Sequence, residues 1–217
     1  MIPIQDVIRS RRRPWITLSI IGIMAAVCVY AWTRPPEDVR SVVYAHGWTG
    51  ARLWLLFPVT AVWHLGVVHA GTNMLALWIF GETLEDRLGH ARFAALYLLG
   101  AIVSWTTVIA THPVTAMVGI GGGGAVAAVI AAYLVQLPRS RVLVLVPLPF
   151  IFDLVEIPAA IVPAFWCLLQ IIGVTSAGGG VAAAAQVLWA ISGGAVVGAA
   201  VGAAAGRRAV EWETPRT

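Results

Sequence analysis

Residues 64–89 read HLGVVHAGTNMLALWIFGETLEDRLG, and this stretch decides the fold. An apolar run near Val68–Gly81 carries two side chains that lipid would not tolerate. His69 and Asn73 stand four apart, so on a helix they share one face. Asn73 is also the only asparagine in the chain. A polar group inside a spanning helix is costly, and by default it marks function. Two readings follow from the spacing. The pair presents donors to a cavity where negative charge develops, or it bonds neighbouring groups and pins the helix in place. Spacing alone favours the second.

The rest of the chain supplies the membrane. Of 217 residues, 59% are hydrophobic and 11% charged, with a mean hydropathy of +0.86. Soluble domains carry about 25% charged residues, so a water-soluble globule is excluded. A helix needs roughly 20 apolar residues to cross the hydrocarbon. Six runs approach that length: Trp15–Trp32, Val68–Gly81, Phe93–Ala110, Gly123–Leu137, Pro158–Val174 and Val181–Ala205. The second and fourth are short, which suggests helices that stop below the surface and open onto a polar cavity. Thr33–Val67 mixes Trp48, Trp54 and Trp63 with arginines, as expected of a loop in the membrane interface. The expected organisation is an arm over 1–14, one membrane domain over 15–206 and a tail over 207–217. No cleavable signal is expected, because the first apolar run lacks a small-residue cleavage site.

Every basic residue is arginine. With the N terminus in the cytoplasm, eleven arginines lie inside and only Arg34, Arg40 and Arg52 outside. That bias predicts cytoplasmic termini, and a multi-pass protein of the plasma membrane is expected. The charge therefore sets topology, and no nucleic-acid partner is expected. Cys28 and Cys167 sit in apolar runs, which argues against a disulfide framework.

The remaining polar features read as structural. His46 and His90 are expected to be solvated, and His112 to sit at the interface. No carboxylate or cysteine stands at ligand spacing near His64 and His69, so neither a metal nor a cofactor is expected. The segment 81–89 reads as a solvated cap and turn. The glycines over 119–124 lack the Lys-Ser/Thr pair of a phosphate loop. Gly194, Gly198, Gly202 and Gly206 recur every four residues, as do Gly124, Ala128 and Ala132. Such small faces let helix backbones touch, so the fourth and sixth spans are expected to pack together.

These residues resemble the rhomboid intramembrane serine proteases. His64, His69 and Asn73, the run from Leu75 to Gly81, and Leu84 through Gly89 carry the specific part of the likeness. Ile2-Pro3-Ile4, the segment from Ala132 to Leu143, Trp166 through Gln170, and Ala190 through Gly194 with Gly198 also fit. The resemblance implies an all-α bundle of six transmembrane helices and a Ser–His dyad, with His69, Asn73 and His64 as the oxyanion-type set. Counted back from Tyr133, the nucleophile position falls on Gly123. The base position falls on Ile191, or on Gln186 in a register that starts at Gly180. Neither supplies a histidine. Glycine has no group to attack a carbonyl, and isoleucine accepts no proton. Ser104 and Ser192 are the other serines weighed as nucleophiles, and only glycine is expected to fit at 123.

The leading expectation is a proteolytically inactive relative that binds transmembrane segments of partner membrane proteins within the bilayer. The alternative is an active intramembrane endopeptidase with a non-standard nucleophile. A small transporter is weaker, since no inverted repeat is visible.

Overall fold

A computed structural model describes residues 2–8, 10–35, 37–38, 64, 67–111, 121–148, 151–176 and 180–206. Most of the interfacial segment expected over 33–67, together with His46, His112 and the tail, lies outside the described residues. The elements are β1 (Ile2–Asp6), α1 (Trp15–Trp32), α2 (Val67–Ala76), a π-helical turn (Leu77–Gly81), α3 (Glu82–Leu88) and α4 (His90–Thr111). They continue with α5 (Gly123–Gln136), β2 (Arg141–Leu148), β3 (Ile151–Pro158), α6 (Val162–Ser176) and α7 (Gly180–Ala204). Among them α1, α4 and α7 are long and apolar enough to cross a membrane. The expected all-helical bundle is present, with one addition in strands.

Its centre is α5. All but a few of its side chains are buried, and Phe80 of the π-helical turn packs edge-on against Tyr133 at 4.9 Å. The small faces meet as the spacing predicts. A β-carbon on Gly194 would overlap the carbonyl oxygen of Gly124, one on Gly198 the carbonyl oxygen of Ala128, and one on Gly202 would lie 3.0 Å from the backbone of Ala132. The two helices therefore run parallel with backbones in contact. Gly206 departs from the pattern: it follows the helix end at φ +69° with nothing near its missing side chain. Its carbonyl instead accepts from Gln136 Nε2 at 3.0 Å, as does that of Gly202 at 2.5 Å. Gln136 thereby satisfies carbonyls that the last turn of α7 leaves without helical partners. On its other side α5 meets α4, where a β-carbon on Gly100 would come within 2.5 Å of Ala128.

The second apolar span is short, as expected, but the helix does not end with it. Backbone dihedrals stay helical from Ala76 through Glu82, so α2, the π-helical turn and α3 form one rod. The apolar run stops at Gly81 because charges begin there, and one of them, Glu85, is buried. Glu85 is 1% exposed. Its carboxylate accepts from the backbone N–H of Ile16 (2.9 Å) and of Thr17 (2.8 Å), and from the Thr17 hydroxyl (2.7 Å). It thus caps the first turn of α1 from a distant helix. His90, expected to be solvated, places Nδ1 2.5 Å from the same carboxylate. The turn expected to be solvated over 81–89 is so only in part: Glu85 is a buried clamp, whereas Glu82, Asp86 and Arg87 are partly exposed and the His90 side chain is 43% exposed.

Nor did the helical reading foresee the sheet. β1 pairs antiparallel with β2, and β2 with β3, in the order β1-β2-β3. The β-branched run from Val142 to Ile157 suits strands, and Val142 and Val144 turn into the core. The arm over 1–14 is therefore tied down. Asp6 accepts from the hydroxyls of Thr83 and Tyr133, each at 2.7 Å, joining β1 to α3 and α5.

Candidate functional site

The fourth span is short, as expected: the 14 residues of α5 rise only about 21 Å. Its head is built from Gly122, which donates its backbone N–H to His64 Nε2 at 3.3 Å. Gly121 just before it has φ +135°, a conformation L side chains rarely adopt. A β-carbon there would also lie 3.3 Å from the His69 ring. The rings of His64 and His69 meet edge to face, 5.1 Å apart. The glycine run over 121–124 thus has a local purpose: it lets the backbone approach two histidines.

One turn along α2, Asn73 is fully buried. Its Oδ1 accepts from Gln170 Nε2 at 2.7 Å and from Trp166 Nε1 at 3.2 Å, both on α6. An indole N–H can only donate, so it fixes which way the Asn73 amide points. Among the described residues its Nδ2 group has no hydrogen-bond partner. The reading of Asn73 as a pin between helices is what these bonds bear out. One end of Asn73 pins α2 to α6, and the other offers an unpaired donor. Trp166 and Gln170 entered the sequence reading only through the resemblance, and their link to Asn73 was missed. A lone amide such as Gln170 within an apolar span was the available signal.

Gly123 occupies the first turn of α5, and a β-carbon built on it meets no atom of the described residues within 4 Å. The expectation that only glycine fits there is corrected. On α7, Gly194 lies against Gly124, so Ile191, three residues earlier on a parallel helix, comes level with the loop at the head of α5. Ile191 is half-buried and packs against the core. Gln186 lies more than a turn farther from Gly194. Neither serine is placed for chemistry. Ser104 is 1% exposed and wedged against Gly124. Ser192 is exposed and donates to the Leu188 carbonyl at 2.8 Å.

Residues 50–208 match the Rhomboid domain family. Presenilin-associated rhomboid-like protein A, mitochondrial, of Danio rerio is 32% identical over 135 residues, which cover 59% of this chain and 35% of that protein. The Homo sapiens presenilin-associated rhomboid-like protein, mitochondrial, is 27% identical over 132 residues, covering 58% and 35%. Rhomboid protein 1, mitochondrial, of Saccharomyces cerevisiae is 36% identical over 95 residues, covering 40% and 25%. The chain spans about a third or less of the length of these relatives. Their names overturn the plasma-membrane location expected from composition, since they point to a mitochondrial membrane instead. The match to the Rhomboid domain over residues 50–208 covers well over half of the chain, and the chain belongs to the rhomboid family.

Proposed function

We propose that this rhomboid-like membrane protein is proteolytically silent and binds transmembrane segments of partner membrane proteins. The observation that carries the reading is Gly123. Among the described residues the first turn of α5 holds space for a side chain and has none, and Ile191, on the helix packed against α5, brings only hydrocarbon. Removing a nucleophile or its base typically costs orders of magnitude in rate, even where oxyanion donors remain. What remains suits binding: the unpaired Nδ2 of Asn73, the two histidine rings, and a glycine-rich loop that lets another backbone approach. Such donors would satisfy a carbonyl exposed where a partner helix unwinds.

The test uses the protein reconstituted in lipid. A photo-crosslinking residue at position 123 should capture synthetic transmembrane peptides, and the peptides should be recovered uncut. Cleaved peptide, or capture no greater than from a crosslinker at lipid-facing Val196, would refute the reading.

A further inference from the structure

We infer that the Arg-rich end of the bundle is a docking surface for anionic phospholipid headgroups, built by turning Asp6 and Glu85 inward and guanidinium groups outward. Asp6 and Glu85 are buried and committed to hydroxyl and amide donors. Asp86 accepts the backbone N–H of Arg11 at 3.1 Å. The arginines at this end are spent differently. Arg12, Arg13 and Arg139 are exposed, and among the described residues none of them has an ion-pair partner. Arg141 reaches Glu156 only at 3.7 Å, with both side chains largely in solvent.

The sheet brings these arginines together. β1 runs antiparallel to β2, and Val7 donates its N–H to the Arg141 carbonyl at 3.1 Å. β1, which leads on to Arg11–Arg13, therefore ends beside Arg141 and the turn that holds Arg139.

Two tryptophans fix the depth of the patch. Trp15 opens α1 and is 56% exposed, with the Arg13 guanidinium 5.9 Å over its ring. Trp78 is 45% exposed and donates Nε1–H to the Ile4 carbonyl of β1 at 3.1 Å. Exposed indoles of a spanning bundle settle at the headgroup level. Arginines beside them therefore lie among phosphates. Guanidinium forks match phosphate oxygens, and basic residues flanking a spanning helix attract anionic lipid. The membrane these helices occupy supplies that phosphate, and membrane depth favours it over a nucleic acid or an acidic protein.

The test is native mass spectrometry of the full chain released from bilayers that mix phosphatidylcholine with phosphatidylglycerol. The unmodified protein should retain phosphatidylglycerol preferentially, and added sodium chloride should weaken the preference, because salt screens exposed charge. Each of Arg12→Gln, Arg13→Gln and Arg139→Gln should reduce the preference about fivefold. Arg34→Gln, at the far end of α1, should leave it unchanged. Equal retention of both lipids by the unmodified protein would overturn the proposal. So would insensitivity to salt, equal losses from Arg34→Gln, or displacement of the lipid by free inorganic phosphate at matched concentration. The salt series uses only the unmodified chain, so it decides the matter even if a variant fails to fold.

Discussion

The backbone of Gly194 rests directly on the carbonyl of Gly124, with no room between them for a single methyl group. This contact sets α7 against α5 at the level of the site and fixes the register by which Ile191 reaches the head of α5. Close approach of this kind depends on three consecutive turns of α7 presenting glycine.

Gly198→Leu should therefore destabilise the fold by at least about 1–3 kcal/mol through overpacking. Its side chain would begin inside the Ala128 backbone. Ala204→Leu, on an exposed position of the same helix, should be nearly silent. Thermal unfolding in one detergent would compare them. Equal losses would mean that the glycine face carries no contact.

A second expectation concerns pH. Burial pushes the Glu85 carboxyl up, but the donors from Thr17, Ile16 and His90 outweigh it and hold the group below its ordinary value of 4.5. An acid whose folded pKa is depressed stabilises the fold above its unfolded pKa. That stabilisation is lost as pH falls through the folded value. Melting temperature should accordingly drop on acidification below about pH 4.5, and Glu85→Gln should flatten that part of the profile. Glu85→Ala, which strands buried donors, should cost about 1–3 kcal/mol at neutral pH. An unchanged acid slope in Glu85→Gln would show that the clamp on α1 is not ionic.

Asn73 gives a third. Asn73→Ala removes the acceptor shared by Trp166 and Gln170. It strands the buried Trp166 N–H and leaves Gln170 Nε2 only its 3.5 Å contact to Thr72, a loss of about 1–3 kcal/mol for the unpaired donor. The damage should be local to α2 and α6, visible as faster amide exchange over 162–176. Asn73→Asp keeps the acceptor and should restore protection there. If exchange in α6 were unaffected by either change, Asn73 would not fasten the two helices.

The parts of this fold legible in the sequence were those written as periodic composition. Trp15–Trp32 has the same bounds in sequence and structure, because polar punctuation flanks it on both sides. The Gly194–Gly124 contact followed from the repeat of four. Hydropathy could not see that α2 continues to Leu88. Of the charges ending the apolar run, Glu85 is buried by partners some 70 residues away, Thr17 and Ile16. The sheet was hidden for a similar reason. Val142 to Ile157 falls between two of the predicted spans, and the pairing of its first strand with Ile2–Asp6 is a contact between distant segments. At the site, residue types were readable but space was not. The glycine at 123 looked like a packing requirement, whereas Gly121 and Gly124 bear that constraint.

The central claim is that proteolytic chemistry is missing here for want of two side chains on an otherwise suitable scaffold. The most direct measurement is labelling by a fluorophosphonate probe, in lipid, of the unmodified chain, of Gly123→Ser, of Ile191→His and of the double variant. In the labelling step the serine oxygen bonds to phosphorus, fluoride leaves, and the serine proton passes to the histidine. This requires hydroxyl and imidazole within about 2.6–3.2 Å. The space around position 123 admits the serine, so fit does not stand in the way. Only the double variant should label, since nucleophile and base act as a unit. Labelling of the unmodified chain at the level of the double variant would contradict the account and restore an active protease with its nucleophile elsewhere.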